Sequence, residues 1–195
     1  MTAGAGVFLG LWFQKPLQIA AVCPSGEKLA TVIARHADLD RPGFVLELGA
    51  GTGSLTAGLL RAGCPPERLV ALECEPRLVA VLRNKFRGIQ AIVGDATELD
   101  DHLRKRGVER LAVVVSSLPI KWFPVEAQRA VTQPCFERLG PGGRFLQITN
   151  AFSSPLARHR LGIDGWETAR VWRNLPPVQI WTYTTPGCDL AQGMP

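Results

Sequence analysis

The stretch VLELGAGTGSLT, residues 45–56, limits the possible folds more than any other part of the chain. A short apolar run meets glycines at 49, 51 and 53, and a helical pattern begins at Ser54. The order is strand, tight loop, helix. A glycine loop at such a junction lets a ligand approach the backbone closely and points helix N–H groups at it. The dinucleotide fingerprint G-x-G-x-x-G would need glycine at 54, where the chain has Ser54. The pattern is instead E-x-G-x-G-x-G, starting at Glu47.

The same alternation continues. Apolar strands are predicted over 44–48, 69–72, 89–93, 111–115 and 144–149. Helices are predicted over 26–37 (with Ser25 as N-cap), 54–62, 76–86, 98–106 and 125–138. Nearly continuous apolar strands between helices imply a parallel sheet covered on both faces. Beyond 150 the alternation stops. Two strands over 166–173 and 178–184 are expected, joined by a turn at Asn174-Leu175-Pro176-Pro177, with a frayed tail after Pro186.

The 195 residues fit one domain with a sizeable core. The net charge of +5 favours an acidic partner, either nucleic acid or an anionic membrane surface. Cys23, Cys64, Cys74, Cys135 and Cys188 follow no metal-ligand spacing, and an odd number suggests reduced thiols in a cytosolic protein. His36, His102 and His159 lie far apart, so no metal is expected. No secretory signal is evident, and no run reaches the ~18 apolar residues of a membrane span.

Two acids stand at predicted strand ends. Glu73 follows the second strand, 20 residues beyond Gly53, and can accept from two ribose hydroxyls. Asp95 follows the third, in IVGDA, and can accept from an adenine amino group. Ligands of open α/β sheets bind at these carboxyl ends.

In combination these features resemble the class I S-adenosylmethionine-dependent methyltransferases over roughly residues 40–150. The resemblance implies an α/β, single-domain, Rossmann-like fold: a seven-stranded, mostly parallel sheet with an antiparallel last strand and an added N-terminal helix. It implies S-adenosylmethionine as cofactor and S-adenosylhomocysteine as product. Glu47, Gly49, Ala50, Gly51 and Gly53 resemble the methionine-side loop, Glu73 with Cys74 the ribose corner, and Asp95 with Ala96 the adenine corner. Ser25 is placed with them.

In that fold the fourth strand ends facing the transferable methyl. Amine-methylating members carry an Asn/Asp-Pro-Pro-aromatic or Asn-Leu-Pro-Tyr box there. This chain has Ser117-Leu118-Pro119-Ile120, which keeps the Leu-Pro frame of the rRNA adenine dimethylases and loses the Asn and the aromatic. A flipped base needs a flat platform that Ile120 cannot supply, whereas an alkyl amine needs none. Ser117, Leu118 and Ser116 are the candidate catalytic residues, through the Ser117 hydroxyl and the carbonyls of Ser116 or Leu118. Pro119 and Trp122 are candidates for the acceptor side, Trp122 by cation–π contact or as core packing.

Pro16 with AAVCPSG at 20–26, VLELGAGTG, SSLPIKWFP at 116–124, LGPGGRFLQIT at 139–149 and VWRNLPPVQIWTY at 171–183 resemble the bacterial phospholipid N-methyltransferases. That resemblance implies stepwise methylation of phosphatidylethanolamine towards phosphatidylcholine by a cytoplasmic enzyme held peripherally on the inner face of the cell membrane. Residues 1–37 are expected as membrane-interface or lid helices and 38–186 as the methyltransferase core. Residues 5–20, with Trp12 and Lys15, suit the headgroup region or a lid over the substrate. The alternatives are another aminolipid such as an ornithine lipid, a small amine, an rRNA dimethylase-like activity, or a non-catalytic binding module.

Overall fold

The structure is a computed structural model that describes residues 25–151, 153–172 and 177–186. The expectations for residues 5–20 with Trp12 and Lys15, for the turn residues 174–176 and for the tail after 186 lie outside the described residues.

The strands are β1 (Phe44–Leu48), β2 (Leu69–Glu73), β3 (Gln90–Val93), β4 (Leu111–Ser116), β5 (Arg144–Thr149), β6 (Asp164–Val171) and β7 (Val178–Thr184). They form one sheet in the order β3-β2-β1-β4-β5-β7-β6. Neighbours among β1–β5 pair in parallel, and β7 runs antiparallel to β5 and to β6. The mostly parallel sheet with an antiparallel last strand is therefore as expected.

The helices are α1 (Ser25–His36), α2 (Ser54–Arg61), α3 (Pro76–Lys85), α4 (Leu99–Arg104), α5 (Val125–Leu139) and α6 (Arg158–Leu161). Side-chain alternation along the strands builds two apolar layers. Leu46, Leu48, Val114, Phe145 and Tyr183 share one face with Val131 and Cys135 of α5. Val45, Leu69, Val113, Leu146 and Ile180 share the other with Ile33 of α1 and Leu59 of α2. β2 and β4 are buried on both faces, which explains why their sequences do not alternate. Gly58 lets α1 pack closely on α2, since a Cβ there would meet the Cβ of Ala30 at 2.1 Å.

Two segments differ from the sequence expectation. The helix predicted at 98–106 is a 3-10 turn over Ala96–Glu98 followed by α4, because the Asp95 side chain caps the turn first. Ile120–Trp122 forms another 3-10 turn, which buries Ile120 and leaves Trp122 exposed. Phe123 beside it packs against the core. The edge strand β6 carries the Glu167–Arg170 ion pair and a register shift between Glu167 and Ala169, both of which discourage pairing with another sheet.

After β1 the chain builds outward through β2 and β3, then crosses back to lay β4 on the other side of β1. Such a reversal opens a crevice at the carboxyl ends of the two strands. The β1–α2 loop and the turn after β4 both lie there.

Candidate functional site

The glycine loop is held mainly by the end of β2. The N–H groups of Gly49 and Ala50 both donate to the Leu72 carbonyl, at 2.9 and 3.3 Å, and Gly53 N–H donates to Ala50 O at 2.9 Å. Gly51 N–H donates to Glu73 Oε2 at 2.9 Å. These donors are thus engaged within the protein, which narrows the expected role of the loop. Its glycines shape a wall that a ligand can approach closely, while the N-terminus of α2 behind them carries no side-chain cap. Gly53 has φ +86°, and a Cβ there would meet the Phe86 ring at 2.4 Å. Gly51 has φ +55° and open space where a side chain would stand.

Glu47 is fully buried beneath this loop. Its Oε2 accepts from the Thr56 hydroxyl at 2.6 Å, and its Oε1 has no partner among the described residues. Burial pushes its carboxyl up to about 7; bonds from Thr56 oppose that rise and the nearby Glu73 adds to it. A half-satisfied buried carboxylate is costly, and a cation beside it would offset the cost.

The Glu73 carboxylate bridges β2 to the loop. Its Oε1 accepts from the N–H groups of Cys74 and Glu75 at 2.9 and 3.1 Å, while its Oε2 holds Gly51. The Cys74 thiol lies 3.3 Å from Oε1, and burial together with the Glu73 charge pushes it up to about 12, so it is an unreactive thiol. Asp95 uses Oδ1 to accept from the Thr97 N–H and hydroxyl at 2.8 and 2.9 Å. Ala96 beside it is buried. Ser25 is the first residue of α1, and its side chain lies outside the description.

Across the crevice, the β4 turn is tied to the same loop. Ser117 N–H donates to Leu48 O at 3.0 Å, and the exposed Ser117 hydroxyl donates to Gly49 O at 2.6 Å. The hydroxyl proton is thereby committed, and the oxygen's lone pairs remain to accept from an incoming N–H. Ser116 is fully buried, with Oγ accepting from Leu118 N–H at 3.4 Å. Pro119 is half-buried and Trp122 is 69% exposed.

Gln147 is a site residue that the sequence reading did not single out. It is fully buried on β5, opposite Ser116 in the register. Its Nε2 donates to Leu118 O at 2.9 Å and to Ile148 O at 2.8 Å. An amide at an inward position of an otherwise apolar strand, FLQIT, was the available signal. Thr56, the partner of Glu47, was also missed; it lies in the first turn of α2 and faces back to the strand.

A methyltransferase-domain family matches residues 45–143. The chain is 33% identical over 175 residues to an ornithine lipid N-methyltransferase of Singulisphaera acidiphila, covering 88% of this chain and 91% of that protein. It is 29% identical over 115 residues to ribosomal RNA small subunit methyltransferase A of Thermotoga neapolitana, covering 59% of this chain but only 38% of the relative. Among solved structures, the glycopeptide N-methyltransferase MtfA in complex with sinefungin aligns with a TM-score of 0.61 at 19% identity, covering 88% of this chain and all of that one. TrmN from Thermus thermophilus aligns with a TM-score of 0.61 at 18% identity, covering 82% and 48%. At these identities the structural matches establish the fold.

The residues fit S-adenosylmethionine. A cationic ligand suits the unpaired buried carboxylate oxygen of Glu47 beneath the loop, and the glycines leave room for its close approach. By fold, family and cofactor, the chain belongs to the class I S-adenosylmethionine-dependent methyltransferases.

Proposed function

We propose that the protein methylates the amine of an aminolipid headgroup, with an ornithine-type lipid as the first candidate acceptor. The observation that carries this is the acceptor side of the crevice. It offers a hydroxyl whose proton is already donated, beside a Leu-Pro turn whose next residue, Ile120, is buried in the core. Such a surface accepts an N–H and offers no flat ring for a nucleobase at that position. The ornithine lipid N-methyltransferase, matched over nearly its whole length, supports the same acceptor class. Phosphatidylethanolamine is the second candidate, because its primary amine makes the same demands on Ser117.

On this proposal Glu47, the loop from Gly49 to Gly53, Glu73 with Cys74, and Asp95 with Ala96 hold the cofactor. When bound, the cofactor supplies an already activated methyl group. The protein then has to orient the acceptor nitrogen and exclude water. Ser117 Oγ and the Leu118 carbonyl accept N–H bonds from the neutral amine and set the direction of its lone pair. Burial favours that neutral form by lowering the amine's pKa. No side-chain base is assigned.

A lipid acceptor requires a membrane-facing rim. Trp122 and Trp172 are each 69% exposed, and both follow strand ends on the carboxyl side of the sheet, where Thr149 pairs with Gln179 and Val171 with Val178. Lys121 and Arg170 flank them, a pairing of indole and cation suited to a headgroup layer. No helix among the described residues is long and apolar enough to cross a membrane. We therefore place the enzyme peripherally on the inner face of the membrane, with residues 5–20 adding to the contact and residues 38–186 forming the catalytic core.

The test is incubation with methyl-labelled S-adenosylmethionine and vesicles containing ornithine lipid or phosphatidylethanolamine, followed by headgroup separation. Label in N-methylated ornithine lipid is expected. Label confined to phosphatidylethanolamine products would move the assignment to the second lipid, and label in neither would overturn the aminolipid proposal.

A further inference from the structure

Resting on the proposal that a lipid amine is the acceptor, we propose that Gln147 is a positioning residue: it fixes the Leu118–Pro119 peptide so that the Leu118 carbonyl keeps one lone pair directed at the acceptor nitrogen. A carbonyl oxygen has two lone pairs, and Gln147 Nε2 occupies one at 2.9 Å. The second N–H of the same amide is anchored on Ile148 O at 2.8 Å. With both donors used, the amide has no rotational freedom. A flip would set its oxygen against two carbonyl oxygens, so the orientation is unambiguous.

Beyond this amide, Leu118 packs against the core and Pro119 O accepts from Trp122 N–H at 3.0 Å, but no other side chain bonds the Leu118 carbonyl among the described residues. Pro119 has no N–H, and the Leu118 N–H reaches Ser116 Oγ only at 3.4 Å. The preceding residue is clamped from the other side by the bonds of Ser117 to Leu48 O and Gly49 O. Gln147 and the glycine loop therefore hold the two candidate acceptor groups from opposite flanks. The arrangement leaves Gln147 Oε1 buried and without a partner among the described residues. A residue present only to fill the core would leave no such oxygen, as its strand neighbours Phe145 and Leu146 do not. What the amide adds is a fixed carbonyl direction, and alignment of nitrogen, methyl and leaving sulfur depends on that direction.

Two variants test this in the full-length protein, assayed with labelled S-adenosylmethionine and aminolipid vesicles. Gln147→Met keeps the length and removes both donors. Its kcat should fall by about tenfold or more while the acceptor KM and the calorimetric affinity for S-adenosylmethionine stay within about twofold. Gln147→Glu can donate one bond when protonated and repels both carbonyls when ionised. Its activity relative to wild type should therefore rise as pH is lowered from about 8.5 to about 6, a profile that mere packing would not produce. Wild-type kcat in Gln147→Met would overturn the proposal alone. So would a parallel loss of cofactor affinity and kcat in both variants, or a pH-independent ratio for Gln147→Glu. A wild-type protein that methylates no lipid amine would overturn the acceptor assignment and this proposal with it.

Discussion

The two flanks of the crevice contrast in charge. On the β1–β2–β3 side, three carboxylates line the carboxyl edge: Glu47, Glu73 and Asp95. On the β4–β5 side stand a hydroxyl and a backbone carbonyl, of Ser117 and Leu118, with the buried Gln147 amide behind them. The acidic flank suits a ligand that arrives positively charged and rich in hydroxyls. The neutral flank suits an amine that must give up its charge before it reacts, because a carboxylate beside it would hold the proton on nitrogen. On the proposed function the division puts one substrate on each flank and gives every substitution a side.

The largest effect should come from Glu73. Glu73→Ala removes the expected ribose acceptor and also frees the N–H groups of Gly51, Cys74 and Glu75. Hydrogen bonds to charged groups contribute about 1.5–3 kcal/mol each, so cofactor affinity should fall by about 100-fold, with a lower melting temperature. Calorimetry and thermal unfolding read the two losses. An unchanged Kd would detach Glu73 from the cofactor and leave it as a loop brace.

Ser117→Ala probes the neutral flank. Its kcat for the lipid acceptor should drop by about tenfold while the cofactor Kd stays put, because the hydroxyl reaches only backbone carbonyls of the β1 end, Leu48 O at 3.3 Å and Gly49 O at 2.6 Å. A matching loss of cofactor affinity would mean that the flanks cannot be separated in this way.

The flanks were also unequally legible in the sequence. Glycine spacing, strand ends and acids lie close together along the chain, so the cofactor side could be written down residue by residue. The sheet was equally plain because β2 and β4 are uniformly apolar. The acceptor side depends on a contact across 29 residues, Gln147 to Leu118, which only strand register creates. The sequence likewise did not reveal that Gly49, Ala50 and Gly51 spend their N–H groups internally, since both partners, Leu72 and Glu73, lie on β2. In the 3-10 turn, helical geometry rather than hydrophobicity turned Ile120 inward and Trp122 outward.

Glu47 gives the acidic flank a pH signature. Its carboxyl, at about 7, lies above the ordinary 4.5 because burial opposes the charge. The sign follows: the ligand-free protein holds this proton more tightly than the unfolded chain does. The stability it contributes is full below about pH 4.5 and is lost as pH rises through about 7, a difference on the order of 3 kcal/mol. A cationic cofactor prefers the ionised form, so its affinity should rise about eightfold between about pH 6 and about 7.5. Glu47→Gln should flatten that rise. A pH-independent wild-type Kd would remove Glu47 from the cofactor's charge balance.

The smallest effect belongs to the rim, where the proposed lipid acceptor would enter. Trp122 is anchored by its turn and not by core contacts, so Trp122→Ala should leave the melting temperature unchanged. Moving an indole from water into the headgroup layer is worth about 1 kcal/mol when only part of its surface is covered, so vesicle affinity should fall about fivefold. Trp172→Ala should do the same, although its ring also packs under the Arg170 guanidinium at 5.1 Å. The double variant should lose about the product of the two, because the residues follow different strands and share no contact that would couple them. Co-sedimentation with anionic vesicles, beside cofactor calorimetry as a control, separates rim from crevice: vesicle binding should fall while cofactor affinity holds. Unchanged sedimentation of the double variant would take the indoles out of the membrane contact and leave residues 5–20 to supply it.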